Sequence, residues 1–350
     1  MRALTFVPGQ AGSAAVTEVA EPAGSTGSVL VETLAIGICG TDLELLAGGS
    51  GEAPPGEDRL VLGHESLGRV LEAPDGSGLE SGQLVVGIVR KPDPEPCTSC
   101  AVGEWDMCRN GRYTEHGIKG LHGFGSERYR IDPGFAVPVP AELGDLGVLL
   151  EPTSVVAKAW EHIERIGNRA HWEPRTAAVT GAGPIGLLAA LLAVQRGLEV
   201  HVLDVVEEGP KPDLVQALGG TYHTKRLPEL GFEADVIVEC SGVPNVVLDA
   251  MGTSAHSGIV CLTGVSPTGR RLQIDAGALN RELVMENDAI FGSVNANRRH
   301  YEQGVAALVD ADRRWLEQLI TRRVPLDRFE EALERRPDDV KVVLDLAATS

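Results

Sequence analysis

Gly181-Ala182-Gly183-Pro184-Ile185-Gly186 decides how the middle of this chain folds. It is a G-x-G-x-x-G turn. Thr176-Ala177-Ala178-Val179-Thr180 precedes it as a short apolar strand, and Pro184 to Arg196 follows as an apolar helix. Val200-His201-Val202-Leu203-Asp204 is the next strand, and Asp235 to Glu239 and Gly258 to Leu262 continue the alternation. A βαβ series of this kind predicts a doubly wound parallel sheet with helices on both faces, hence an α/β fold. The glycines have separate tasks. Gly181 permits the tight turn, Gly183 lets a pyrophosphate approach the backbone, and Gly186 lets the helix pack on the strand. Pro184 and Ile185 open that helix. Asp204 lies 18 residues beyond Gly186 (204 − 186), at the end of the second strand, where a carboxylate binds a ribose 2′-hydroxyl. The same carboxylate repels a 2′-phosphate. Val205, Val206, Glu207 and Glu208 follow without an arginine, and Lys211 is the one close cation. NAD is therefore expected in preference to NADP, with NADP use depending on whether Lys211 reaches Asp204.

Upstream, the chain reads differently. Val29 to Ile36, Arg69 to Glu72 and Leu84 to Val89 are short strands among Gly and Pro turns, which predicts a partly antiparallel β domain. Within it stand Gly37-Ile38-Cys39-Gly40-Thr41-Asp42 and Gly63-His64-Glu65, and Glu151-Pro152 follows where the pattern changes to a helix over Thr153 to Arg165. Thiolate, imidazole and carboxylate are all zinc ligands, and zinc acidifies a hydroxyl so that a nicotinamide can take its hydride. Taken singly, Cys39 is also a plausible small core residue and His64-Glu65 a plausible surface turn. Cys97, Cys100 and Cys108 form a second cluster, and cysteines so sparse in 350 residues point to metal rather than disulfides. After Asn295 the chain is helical and charged, and it ends in an alternating strand, Val340 to Leu346.

The formal charge of −19, from 50 acidic and 31 basic residues, argues against nucleic acid and anionic membrane as partners. Met1 to Phe6 runs into Pro8 and Gly9 with no long apolar region, which predicts a cytoplasmic protein. The longest apolar stretch, Ile185 to Val194, is too short to span a bilayer.

In order and over nearly the whole length, these motifs resemble the zinc-dependent medium-chain alcohol dehydrogenase superfamily. Arg90-Lys91-Pro92, Glu115-His116-Gly117-Ile118, Gly120 to Phe124, Leu150-Glu151-Pro152 and Gly292 to Asn297 are most similar to its glucose 1-dehydrogenase branch. The resemblance implies a GroES-like catalytic domain over residues 1–155 and 295–350, and a Rossmann domain over 156–294. It implies a catalytic zinc on Cys39, His64 and Glu151, with Glu65 exchangeable, and Thr41 as proton relay. Arg90, Glu115, Glu151, Asn295 and Asn297 are the implied sugar contacts, and Ser241, Gly264 and Asn295 join the glycine turn at the nucleotide. The implied reaction is oxidation of D-glucose or a close aldose to its lactone. Another polyol or cyclitol, or a zinc-free or non-catalytic nucleotide-binding homologue, stays open. The implied partners are a sugar and further copies of the chain, as a dimer or tetramer. In the superfamily's C-x2-C-x2-C-x7-C lobe, Pro94 stands at the first cysteine position. Either Asp93 or Glu95 supplies an oxygen to a structural zinc there, or the lobe is metal-free.

Overall fold

A computed structural model describes residues 1–269 and 271–347. The chain divides into two compact units, Met1–Ser154 with Asn295–Ser350, and Val155–Val294.

The second unit is a six-stranded parallel sheet. Its strands lie in the order Thr221–His223, Glu199–Leu203, Thr176–Thr180, Ala234–Glu239, Ser254–Leu262, Ala289–Gly292. In chain order this is 3-2-1-4-5-6, with the glycine turn leaving the first strand where the order reverses. The strands are apolar runs because both faces are covered: Ala177, Ala178, Val179, Val236, Ile237 and Val238 are fully buried. The helix Pro184–Gln195 is apolar all round for the same reason, with Leu187 to Ala193 buried.

The first unit is β-rich. Its main sheet runs Ala136–Pro138, Leu84–Gly87, Glu65–Glu72, Val29–Ile38, Lys341–Asp345, Ile320–Pro325, and Arg128–Ile131 also pairs with Val29–Ile38. Only the last neighbours, Ile320–Pro325 and Lys341–Asp345, are parallel. Val29–Ile38 alternates buried and half-buried in its first half and is buried throughout its second. That second half meets Glu65 across one edge and Val342 across the other, at Gly37↔Glu65 and Ile38↔Val342. The register places Gly37-Ile38, Glu65 and Val342 side by side.

No helix among the described residues is long and apolar enough to cross a membrane.

Candidate active site

The strand Val29–Ile38 ends at Cys39, which caps the short helix Gly40–Leu46. Asp42, three residues into the turn, accepts the Cys39 N–H through Oδ2 at 2.9 Å. This local cap fixes where the thiol points. Gly63, at φ +95°, turns the chain so that His64 faces it. Cys39 Sγ and His64 Nε2 stand 3.1 Å apart, and the other ring nitrogen, Nδ1, is 3.3 Å from Asp42 Oδ1. One donor atom each from Cys39, His64 and Glu65 lies within 4.8 Å of the others. Burial pushes the Cys39 thiol up. Burial alone would lower the His64 pKa, but the charges of Asp42 and Cys39 overcome it and hold the imidazole well above its usual range. Thiol, imidazole and carboxylate converging in one buried place fit zinc. Asp42 behind the imidazole supplies the outer partner that a ligating histidine needs.

Two buried charges complete this centre. Lys341, at 0% exposure on the last strand, pairs through Nζ with Glu65 Oε2 and donates to the Ile38 carbonyl at 3.1 Å. Gly37 makes room for them, because a Cβ there would overlap the Glu65 carboxylate and the Lys341 side chain. Glu151 opens the helix Leu150–Gly167 and is buried, yet its carboxylate is not in the close donor set. Burial first, and then the Glu65 charge, push its pKa to about 8. The close donor set is Cys39, His64 and Glu65, and of the four expected ligands Glu151 stands outside it. Thr41 is exposed on the helix that follows Cys39.

A second cluster gathers the polar residues expected at a sugar. Arg90 and Glu115 are direct cross-strand partners. Arg90 Nε and Nη2 donate to Glu115 Oε1 at 3.0 and 2.9 Å, and Asn295 Nδ2 donates to the same oxygen at 3.0 Å. Asn295 has φ +62°, a left-handed conformation that asparagine tolerates better than most residues. Asn297, expected at the sugar, is committed elsewhere. Its Oδ1 caps the helix Arg298–Asp310 through the Arg299 N–H, and its Nδ2 donates to Asp106 Oδ1 at 2.8 Å. It is 2% exposed.

The nucleotide turn has the expected geometry. Gly181 sits at φ +92° against the Ser241 backbone, and a Cβ on Gly186 would strike the Gly181 carbonyl. A Cβ on Gly183 would meet no protein atom within 4 Å, so the protein's own packing does not require a glycine there. The open space lies at the N-terminus of the helix Pro184–Gln195, which suits a pyrophosphate. Glu239 Oε1 accepts the Ser241 N–H at 2.8 Å, and its backbone carbonyl accepts the Gly264 N–H at 3.0 Å, which fixes both loops. Asp204 Oδ2 accepts from Ala182 N at 2.7 Å, and Lys211 Nζ reaches the same oxygen at 3.0 Å.

In the cysteine lobe the sulfurs of Cys97, Cys100 and Cys108 lie within 4.8 Å of one another. Backbone N–H groups, that of Arg109 foremost, lower the Cys97 thiol to about 6, whereas burial raises that of Cys100. Neither proposed oxygen joins them. Asp93 is taken by Asn110, Arg112 and the Glu95 N–H, and Glu95 is largely exposed and paired with Arg112.

Sequence reasoning missed Lys341 and assigned no role to Asp42. The Asp42 signal was local, a carboxylate three residues after Cys39 as in a capping box. For Lys341 the signal was a lone cation in an apolar strand.

The chain is similar to known proteins. Residues 25–141 match the alcohol dehydrogenase GroES-like domain, and residues 144–346 match the glucose dehydrogenase C-terminus. A glucose 1-dehydrogenase of Methanocella arvoryzae is 42% identical over 99% of this chain and all of its own. One of Thermoproteus tenax is 39% identical over 99% of both. The glucose dehydrogenase of Haloferax mediterranei, solved with NADP, Zn and gluconolactone, is 34% identical and superposes over the full length of both chains with a TM-score of 0.92.

Proposed function

The chain belongs to the glucose dehydrogenase family of zinc-type alcohol dehydrogenases, and from that membership we propose that it oxidises D-glucose or a close aldose at the anomeric carbon to the lactone, with a nicotinamide dinucleotide as acceptor. The observation that carries the reading is the coexistence of two sites within the first unit: the Cys39–His64–Glu65 donor set, and Glu115 held by Arg90 and Asn295. A simple alcohol needs only the first. A sugar needs acceptors for its other hydroxyls, because a buried unpaired hydroxyl is costly.

Cys39, His64 and Glu65 are the residues that would hold zinc, with Asp42 fixing the imidazole. Bound zinc supplies a Lewis acid that favours the deprotonated hydroxyl. Thr41, exposed on the helix that follows Cys39, passes that proton outward. Glu151, buried in the first turn of its helix, is a further carboxylate for the zinc and for a sugar hydroxyl. Lys341 compensates the charge of Glu65 so that the cluster of anions is tolerated.

The glycine turn, Pro184, Ile185, Ser241, Gly264 and Asp204 hold the dinucleotide, which supplies the hydride acceptor when bound. NAD is preferred because Asp204 accepts a ribose hydroxyl. Lys211 keeps NADP usable because its ammonium offsets that carboxylate. The three-cysteine lobe holds a second, structural zinc by its thiolates. The enzyme works in the cytoplasm as a homo-oligomer, a dimer or tetramer.

A panel of aldoses, polyols and aliphatic alcohols with NAD and NADP, read by reduced nicotinamide, tests the proposal. The expected result is turnover of D-glucose with lactone as product. Turnover of aliphatic alcohols with none of sugars would overturn it.

A further inference from the structure

Glu115 is an unusual acceptor, because one of its oxygens is saturated and the other is free. Three N–H groups converge on Oε1, from Arg90 Nε, Arg90 Nη2 and Asn295 Nδ2. Oε2 makes no hydrogen bond among the described residues. The carboxylate cannot rotate without losing three bonds, two of them to a full positive charge.

Arg90 is itself fixed. Its third nitrogen, Nη1, donates to the Asp106 carbonyl at 3.1 Å, and its guanidinium carbon lies 3.7 Å from the Tyr113 ring centroid. Asp106 is anchored in turn by Asn297. Every guanidinium nitrogen is thus engaged, and the residue is 5% exposed. Such an arginine has little left to offer a sugar directly.

We propose that Arg90 is a positioning residue that presents Glu115 Oε2 as a fixed, single-oxygen acceptor for one hydroxyl of the sugar. The inference rests on the aldose reading above and deepens it. Tyr113 holds the guanidinium plane by stacking, and Asp106 sets its rotation. A carboxylate oxygen accepts and does not donate, so the site selects a substrate with a hydroxyl donor at that point. A deoxy sugar would leave a buried carboxylate oxygen unpaired. Arg90 therefore contributes to specificity through Glu115 rather than by touching the substrate.

The test is a double-mutant cycle on the holoenzyme with Arg90→Met, Arg90→Lys, Glu115→Ala and Arg90→Met/Glu115→Ala. For each, KM and kcat are measured with D-glucose and with its 2-, 3-, 4- and 6-deoxy analogues, and folding is checked by thermal melting. Arg90→Met should raise the glucose KM by about tenfold to a hundredfold, as for a lost bond to a charged group, with a smaller change in kcat. It should also weaken rejection of one deoxy analogue. Arg90→Lys keeps the charge without the planar fork and should fall between, which guards against a Met variant that does not fold. In the Glu115→Ala background the same Arg90→Met change should leave KM unaltered. An equal effect in both backgrounds, or an unchanged KM in a folded Arg90→Met protein that oxidises glucose, would overturn the inference alone. A wild-type enzyme inert on every aldose would overturn the functional reading, and this inference with it.

Discussion

Replacing Asp42 by Asn removes one charge and almost nothing else. Asp42 is fully buried, with Oδ1 at 3.3 Å from His64 Nδ1 and Oδ2 accepting the Cys39 N–H at 2.9 Å. An asparagine of the same shape can still accept that N–H, so the helix cap survives. What is lost is the carboxylate behind the imidazole. Two unit charges at that distance attract by about 5 kcal/mol at an effective dielectric of 20. A zinc-ligating imidazole is formally neutral and feels only part of this, so the loss should settle at about tenfold to a hundredfold in zinc affinity, about 1.4–2.7 kcal/mol. The assay is competition of the protein with a chromophoric chelator for zinc, in a Cys97→Ser/Cys108→Ser background so that the lobe does not contribute. Asp42→Ala, which also removes the cap, should melt lower by a further ~1 kcal/mol. A folded Asp42→Asn protein with wild-type zinc affinity would refute the role given to this carboxylate.

Three other outcomes are expected. Burial first, unrelieved by the Nδ1–H bond to the His122 carbonyl, lowers His116 to about 4, so it folds neutral. The unfolded chain binds that proton first, so this contribution to stability is complete above the unfolded pKa near 6.5 and is lost as pH falls towards 4. From about pH 7 to about pH 5 it should cost about 2 kcal/mol, and denaturant melts of a His116→Phe variant that kept the full slope would contradict this. Lys211→Ala should lower kcat/KM for NADP by about tenfold or more and spare NAD; an unchanged ratio of the two would show that the cation does not serve the 2′-phosphate. Lys341→Met leaves Glu65 buried without its partner and should destabilise the fold by about 3–5 kcal/mol in chemical denaturation, unless Glu65→Gln is added to relieve it.

The parallel sheet was legible because its strands are buried on both faces and read as apolar runs, each paired with a glycine or proline boundary. Thr176–Thr180 and the helix start at Pro184 fall where the sequence places them. Cys39, His64 and Glu65 were legible as residue types in known company. What decides their chemistry was less so. Lys341 reaches the Ile38 carbonyl from 303 positions away, and only the antiparallel pairing of the last strand with Val29–Ile38 brings it there. Arg90 was visible as a polar residue suited to a sugar. That its guanidinium is spent on Glu115 and Asp106 depends on cross-strand register, which a single sequence does not display. Asn297 caps the helix Arg298–Asp310, and because asparagine suits both a cap and a sugar contact, residue type alone does not separate the two.

Aldose oxidation with zinc at Cys39, His64 and Glu65 is tested by the initial rate of reduced nicotinamide formation from D-glucose, measured on metal-stripped protein titrated back with zinc. The stripped enzyme should show no turnover and recover on adding zinc, and Cys39→Ala should show none at any zinc concentration while its dinucleotide binding persists. Full-rate glucose oxidation by the zinc-free protein, or by Cys39→Ala, would contradict it.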